Sequence, residues 1–125
     1  MKIRIKGDFV RYRLVQTEVR QLSEGKRLVE HTRFGPAPEH VFSYALESKA
    51  GIEELRADFT NNTITLFIPE QAAKAWPDEA RVGFEVAYEA APGVQLKLLL
   101  EKDFVCLDTT DEDQSDNYPN PNTTC

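Results

Sequence analysis

The chain has 125 residues, 41% of them hydrophobic and 29% charged, with seven Phe, four Tyr and one Trp. That length gives one ordinary domain over 1–125, excludes two large ones, and allows a core that needs no staples. The aromatic content excludes a disordered chain. A net charge of −6, from 15 basic and 21 acidic residues, makes nucleic acid an unlikely partner, because such binding rests on Lys and Arg neutralising phosphates.

The charge is unevenly spread. Residues 1–33 carry +5, residues 34–100 carry −5 and residues 101–125 carry −6. Such asymmetry marks an interaction tail, or two parts of one molecule that attract each other. The opening MKIRIKGDF has no apolar signal segment. No apolar run nears the ~20 residues of a membrane span. The expectation is a cytoplasmic protein with no membrane partner, in which Cys106 and Cys125 are reduced thiols.

The predicted elements begin with a hairpin over residues 2–14. Its Gly7-Asp8 loop sets Ile3 against Tyr12 and Ile5 against Val10 on an apolar face. The other face collects Lys2, Arg4, Lys6, Arg11 and Arg13. Residues 15–24 change to a helical period, stopped by Gly25. Residues 27–34 and 40–48 read as strands around a Gly-Pro-Ala-Pro loop. Residues 54–69 read as a hairpin about Asn61-Asn62, pairing Phe59 with Ile64, Ala57 with Leu66 and Leu55 with Ile68. A short helix follows from Pro69 to Trp76, ended by Pro77. Val82 to Tyr88 alternates as a strand. Leu96, Leu98 and Leu100 mark the inner face of the last one, with Gln95, Lys97, Leu99 and Glu101 outside. Leu99 implies partial cover on that outer face, and Trp76 reads as a core cap. No internal repeat is evident in the sequence.

These elements predict a mainly β (α+β) fold: a single antiparallel, strongly curled sheet or partly open barrel of seven to eight strands with two short helices. From Asp108 the composition turns acidic and Asn-rich, with Tyr118 its one aromatic residue. Residues 108–125 have too little apolar surface for a core of their own. They read as an acidic tail packed back on the domain, with the basic hairpin as its electrostatic partner.

Three constellations could carry chemistry. Lys2, Arg4, Arg11 and Arg13 form like-charge cross-strand pairs. These are solvated, paired with the protein's own carboxylates, or built to hold an external phosphate or carboxylate. Asp111, Asp113 and Ser115 have the 1, 3, 5 spacing of a calcium loop, but Asp116 replaces its glycine and Asn122 its bidentate Glu. Cys106 and Cys125, with His31 and His40 or with the tail carboxylates Asp111 and Asp113, are the remaining metal-ligand candidates, although no zinc-module spacing is present. The alternatives for the cysteines are a buried thiol at 106 with a free one at 125, or a disulfide. No catalytic motif is found, and no catalytic residue is assigned. His31 could act as a general base, and Glu85 and Glu89 share a strand face, but nothing sets a nucleophile beside a base.

The opening MKIRIKGDFVRYRL, the central TITLFIPEQAAKAW and the closing EKDFVCLDTTDEDQSDNYPNPNTTC together resemble a family of small uncharacterised bacterial proteins, a domain of unknown function. The ending is its most specific part. The resemblance implies a bacterial cytoplasmic protein whose tail belongs to the domain, and it lends no catalytic residues. Three functional readings stand. The first is a non-catalytic module binding a protein or an anionic small molecule on the basic hairpin. The second is an enzyme acting on a small phosphorylated or carboxylated substrate. The third is a metal-stabilised structural protein. No cofactor is expected beyond such a metal ion, and the sequence leaves the oligomeric state open.

Overall fold

A computed structural model describes residues 1–104 and 115–119. The first hairpin joins β1 (Lys2–Lys6) to β2 (Phe9–Leu14). Gly7 takes φ +55° at the first loop position, where a two-residue turn matching strand twist demands positive φ. The register is the one read from the alternation, Lys2 opposite Arg13 through Lys6 opposite Phe9. Helix α1 (Gln16–Ser23) buries Val19 and Leu22. At its start the Glu18 carboxylate accepts the Val15 N–H at 3.0 Å, satisfying one of the amides a helix start exposes.

The chain continues through β3 (Leu28–Arg33) and β4 (Val41–Lys49) to the hairpin of β5 (Arg56–Thr60) and β6 (Thr63–Pro69). Asn61 and Asn62 both take positive φ, 53° and 57°, which the short Asn side chain tolerates. This register also follows the alternation, with Phe59 opposite Ile64 and Ala57 opposite Leu66. Helix α2 (Glu70–Ala75) runs into a 3₁₀ turn at Trp76–Asp78, so Pro77 tightens the helix end and the chain turns on past it. The last pair is β7 (Gly83–Ala91) and β8 (Val94–Lys102).

The strands form two sheets of four, in the orders β1-β2-β8-β7 and β3-β4-β6-β5. This corrects the expected single antiparallel, curled sheet or barrel. Each sheet is mixed, because its central pair is parallel: β2 with β8, and β4 with β6. Local alternation predicts hairpins, since both strands of a hairpin lie in one stretch of sequence. It carries no record of which hairpins then lie side by side. The apolar faces are covered by each other and by the helices, so no sheet has to curl.

The arrangement is duplicated. Phe9 lies opposite Lys97, and Thr63 opposite Ser43: the same pairing 54 residues on, with the partners exchanged. Lys2 opposite Arg13 becomes Arg56 opposite Phe67. The Lys97 N–H bonds the Asp8 carbonyl at 2.8 Å, and the Ser43 N–H bonds the Asn62 carbonyl at 3.0 Å. Each half is a ββαββ unit, and each sheet takes two strands from either half. The repeat is invisible in the sequence because only positions are kept: Val19 recurs as Ala73 and Leu22 as Trp76.

One core joins the halves. Tyr12, Leu14 and Leu100 of the first sheet meet Leu46, Leu66 and Ile68 of the second, with Val19, Leu22 and Trp76 from the helical layer. Each such large side chain contributes roughly 1.5–3 kcal/mol on burial. Trp76 is fully buried as the sequence suggested. It lies edge-on to Phe84 at 5.1 Å, and its indole N–H donates to the Arg81 carbonyl at 2.9 Å.

Candidate functional site

The outer face of the first sheet carries the charges singled out in the sequence. Its rows run Lys2, Arg13, Glu101, Gly83; then Arg4, Arg11, Leu99, Glu85; then Lys6, Phe9, Lys97, Ala87. With Glu89 beyond them, the face holds six cations and three carboxylates on a molecule of net charge −6. Positive charge concentrates on β1 and β2. Leu99 is half-buried in the row between Arg11 and Glu85.

Glu101 answers the like-charge problem. Its Oε1 accepts Arg11 Nε at 2.5 Å and Arg13 Nε at 2.9 Å. Its side chain is only 13% exposed. Gly83 lets β7 come close here: a Cβ on it would lie 2.3 Å from the Leu100 carbonyl oxygen. Lys2 pairs with the buried Asp103 at 3.3 Å, and Lys97 with Glu85 at 3.0 Å. Arg4 and Lys6 make no ion pair among the described residues. Arg4 lines a dimple of about 160 Å³ with Lys2, Arg11 and Arg13. The four predicted site residues thus do come together, two of them already holding one internal carboxylate.

Residues 115–119 pack against the start of α1. The Gln16 N–H donates to the Asp116 carbonyl at 3.1 Å, and the Tyr118 N–H to that of Asp103 at 2.8 Å. Tyr118 stacks edge-on to Phe104 at 5.7 Å and lies 4.8 Å from Lys102 Nζ. Lys102 is buried, and its ammonium donates to the Glu79 carbonyl at 2.7 Å. Desolvation lowers its pKa and raises that of Tyr118. This part of the tail is held by backbone bonds and an aromatic ring. The metal candidates Cys106, Asp111, Asp113 and Cys125 lie outside the described residues. Among the described residues no three His, Cys, Asp or Glu side chains gather as a metal site.

His31 lies on the outer face of the second sheet, its Nδ1 2.6 Å from Ser43 Oγ. The sequence reading missed this pair because it crosses two strands. A hydroxyl beside an imidazole is half of a nucleophile site. However, Ser43 is the only hydrogen-bond partner of His31 among the described residues, so nothing orients the ring. The pair also sits on a different sheet from the arginines. The fold therefore does not set His31 beside the basic face; the carboxylates that stand there are Glu101 and Glu85.

Fold and face together define a small, mainly β protein of two mixed sheets with a charge-separated outer surface. The chain belongs to a family of unknown function (DUF7009), whose family model matches residues 1–122. No curated protein matches it, and no solved structure does. No helix among the described residues is long and apolar enough to cross a membrane.

Proposed function

We propose that this protein is a non-catalytic binding module that engages an anionic group on the outer face of β1 and β2. The observation that carries the reading is Arg4. It stands directly across from Arg11 and has no carboxylate of its own among the described residues, in a dimple ringed by three further cations. Two guanidinium groups side by side match a phosphate or carboxylate, which offers at least two acceptor oxygens to paired N–H donors. Glu101 already holds Arg11 and Arg13, so an incoming anion competes with that carboxylate for them. The setting we infer is the bacterial cytoplasm, in keeping with the family resemblance of the opening and closing segments.

Pyrophosphate titrated into ¹⁵N-labelled protein tests this. The Arg4 and Arg11 Nε–Hε signals should shift saturably, weaken with added salt, and lose the effect in Arg4→Ala. Absence of a saturable shift, or equal binding by Arg4→Ala, would overturn the proposal.

A further inference from the structure

Away from the helices, the two sheets part around a cleft of about 650 Å³. This is the inner side of the first sheet, opposite the arginines. Its walls come from every strand except β3, with Val10, Leu96 and Leu98 on one side and Phe42, Ala57 and Ile64 on the other. Tyr12 reaches across its base, donating its hydroxyl to the Ile64 carbonyl at 3.1 Å. No Lys or Arg lines it; the ionisable neighbours are Asp58, Tyr88 and that committed Tyr12. At its rim Phe59 is 67% exposed and Ile5 52%.

The duplication explains why the space is there. Residues 54 apart occupy equivalent places, so Ala57 stands where the first half has Ile3, and Leu98 where it has Tyr44. In the first half Tyr44 packs edge-on to Tyr12 at 5.8 Å and donates its hydroxyl to the Met1 carbonyl at 2.9 Å. In the second half both side chains are cut back, and the cleft occupies their side of the core. Unfilled apolar volume costs stability in proportion to its size. The cleft lies across both halves, since Ile5 and its equivalent Phe59, and Val10 and its equivalent Ile64, line it together; Ala57 and Leu98 line it where Ile3 and Tyr44 do not, and a ligand can offset the cost of the gap.

We propose that this cleft is a binding site for a small, uncharged, mainly apolar organic molecule, such as one with a fused or substituted ring. The volume lies inside the roughly 300–1,000 Å³ of small-molecule sites. With no cation in the walls, a carboxylate or phosphate would be buried unpaired, which excludes anions. The site is separate from the anion face, so either can fail without the other.

The probe is the neutral fluorophore N-phenyl-1-naphthylamine. Wild-type protein should enhance its emission saturably at one molecule per chain. The double variant Ala57→Ile, Leu98→Tyr, which copies the equivalent residues Ile3 and Tyr44, should weaken binding at least tenfold while its far-UV dichroism stays unchanged. Arg4→Ala should bind the probe as wild type does. Intermolecular NOEs from the naphthyl protons to the Ala57 and Leu98 methyl groups in wild type give a reading that does not depend on the variant folding. Non-saturable emission, or NOEs only to methyl groups outside the cleft, would overturn the proposal. So would a doubling of sedimentation mass that displaces the probe, because a second copy would then be what covers Phe59 and Ile5.

Discussion

Glu101→Gln is the sharpest perturbation of the charged face, because it keeps the shape of the side chain and removes only the charge. The carboxylate binds Arg11 Nε at 2.5 Å and Arg13 Nε at 2.9 Å. Arg11 is 21% exposed and Arg13 43%. A hydrogen bond to a charged group is worth about 1.5–3 kcal/mol when sheltered, and an exposed ion pair about 0.5 kcal/mol or less. The Arg11 bond is near the first case and the Arg13 bond near the second. The amide retains a neutral bond, so part of this survives. To that is added the cross-strand repulsion of Arg4 with Arg11, no longer offset, of a few tenths of a kcal/mol, while Lys2 opposite Arg13 keeps Asp103. The sum is about 2 kcal/mol. With an unfolding entropy of roughly 2.1 cal/mol/K per residue over 125 residues, Tm should fall by about 8 °C. Calorimetry at low salt reads this directly. Added sodium chloride should restore part of the loss, because it screens the repulsion. Pyrophosphate should bind the variant more tightly than wild type, since two guanidinium groups are released. A Tm within 2 °C of wild type, unmoved by salt, would mean that the arginines were solvated all along and that Glu101 settles nothing.

Three further outcomes follow from the same structure. Tyr118→Ala removes the ring against Phe104 and Lys102; it should cost about 1–3 kcal/mol and speed hydrogen exchange at the Gln16 amide, which native-state exchange would detect. Burial raises the hydroxyl pKa of Tyr12, Tyr44 and Tyr118 above 10.0, so above pH ~10 the unfolded chain loses protons first and stability falls. Lys102, lowered from 10.5, works the other way, since the unfolded chain holds that proton longer and stability rises towards pH ~10.5. Urea midpoints should therefore decline above pH ~10.5, with a shallower decline in Tyr12→Phe; a midpoint still rising there would refute the assignment. Finally, a protease site placed in the exposed 50–54 loop should be cut without separating the halves, because both parallel ladders join one half to the other. Gel filtration of the nicked protein should show a single one-to-one species.

The two hairpin registers were legible because each rests on a short loop and an alternation, and a slip of one residue would have exposed a whole apolar face. The basic face was legible for the same reason, since Lys2, Arg4, Lys6, Arg11 and Arg13 follow from the register alone. Its neutralisation was not. Glu101 is about ninety residues from Arg11, and it reaches Arg11 only because β8 lies parallel to β2. That pairing needs both halves of the chain to be folded before it exists. The His31–Ser43 contact was hidden in the same way, by the pairing of β3 with β4.

The duplication explains why so much of the candidate function stayed out of view. A repeat conserved in register but not in residue leaves no sequence period. Its functional content lies in the differences between equivalent places, which have no meaning until the equivalence is known. Ala57 reads as an ordinary small residue in a strand, and Leu98 as one more core leucine. Only against Ile3 and Tyr44 do they become missing volume. The charges follow the same logic on the other side of the sheet: Arg4 has Asp58 as its counterpart, and Arg11 has Thr65. One half presents paired guanidinium groups outward where the other presents a carboxylate and a hydroxyl. Inward, the second half sets Ala57 and Leu98 where the first sets Ile3 and Tyr44. Two copies of one unit have thus been differentiated on both faces, and each proposed site lies at such a difference.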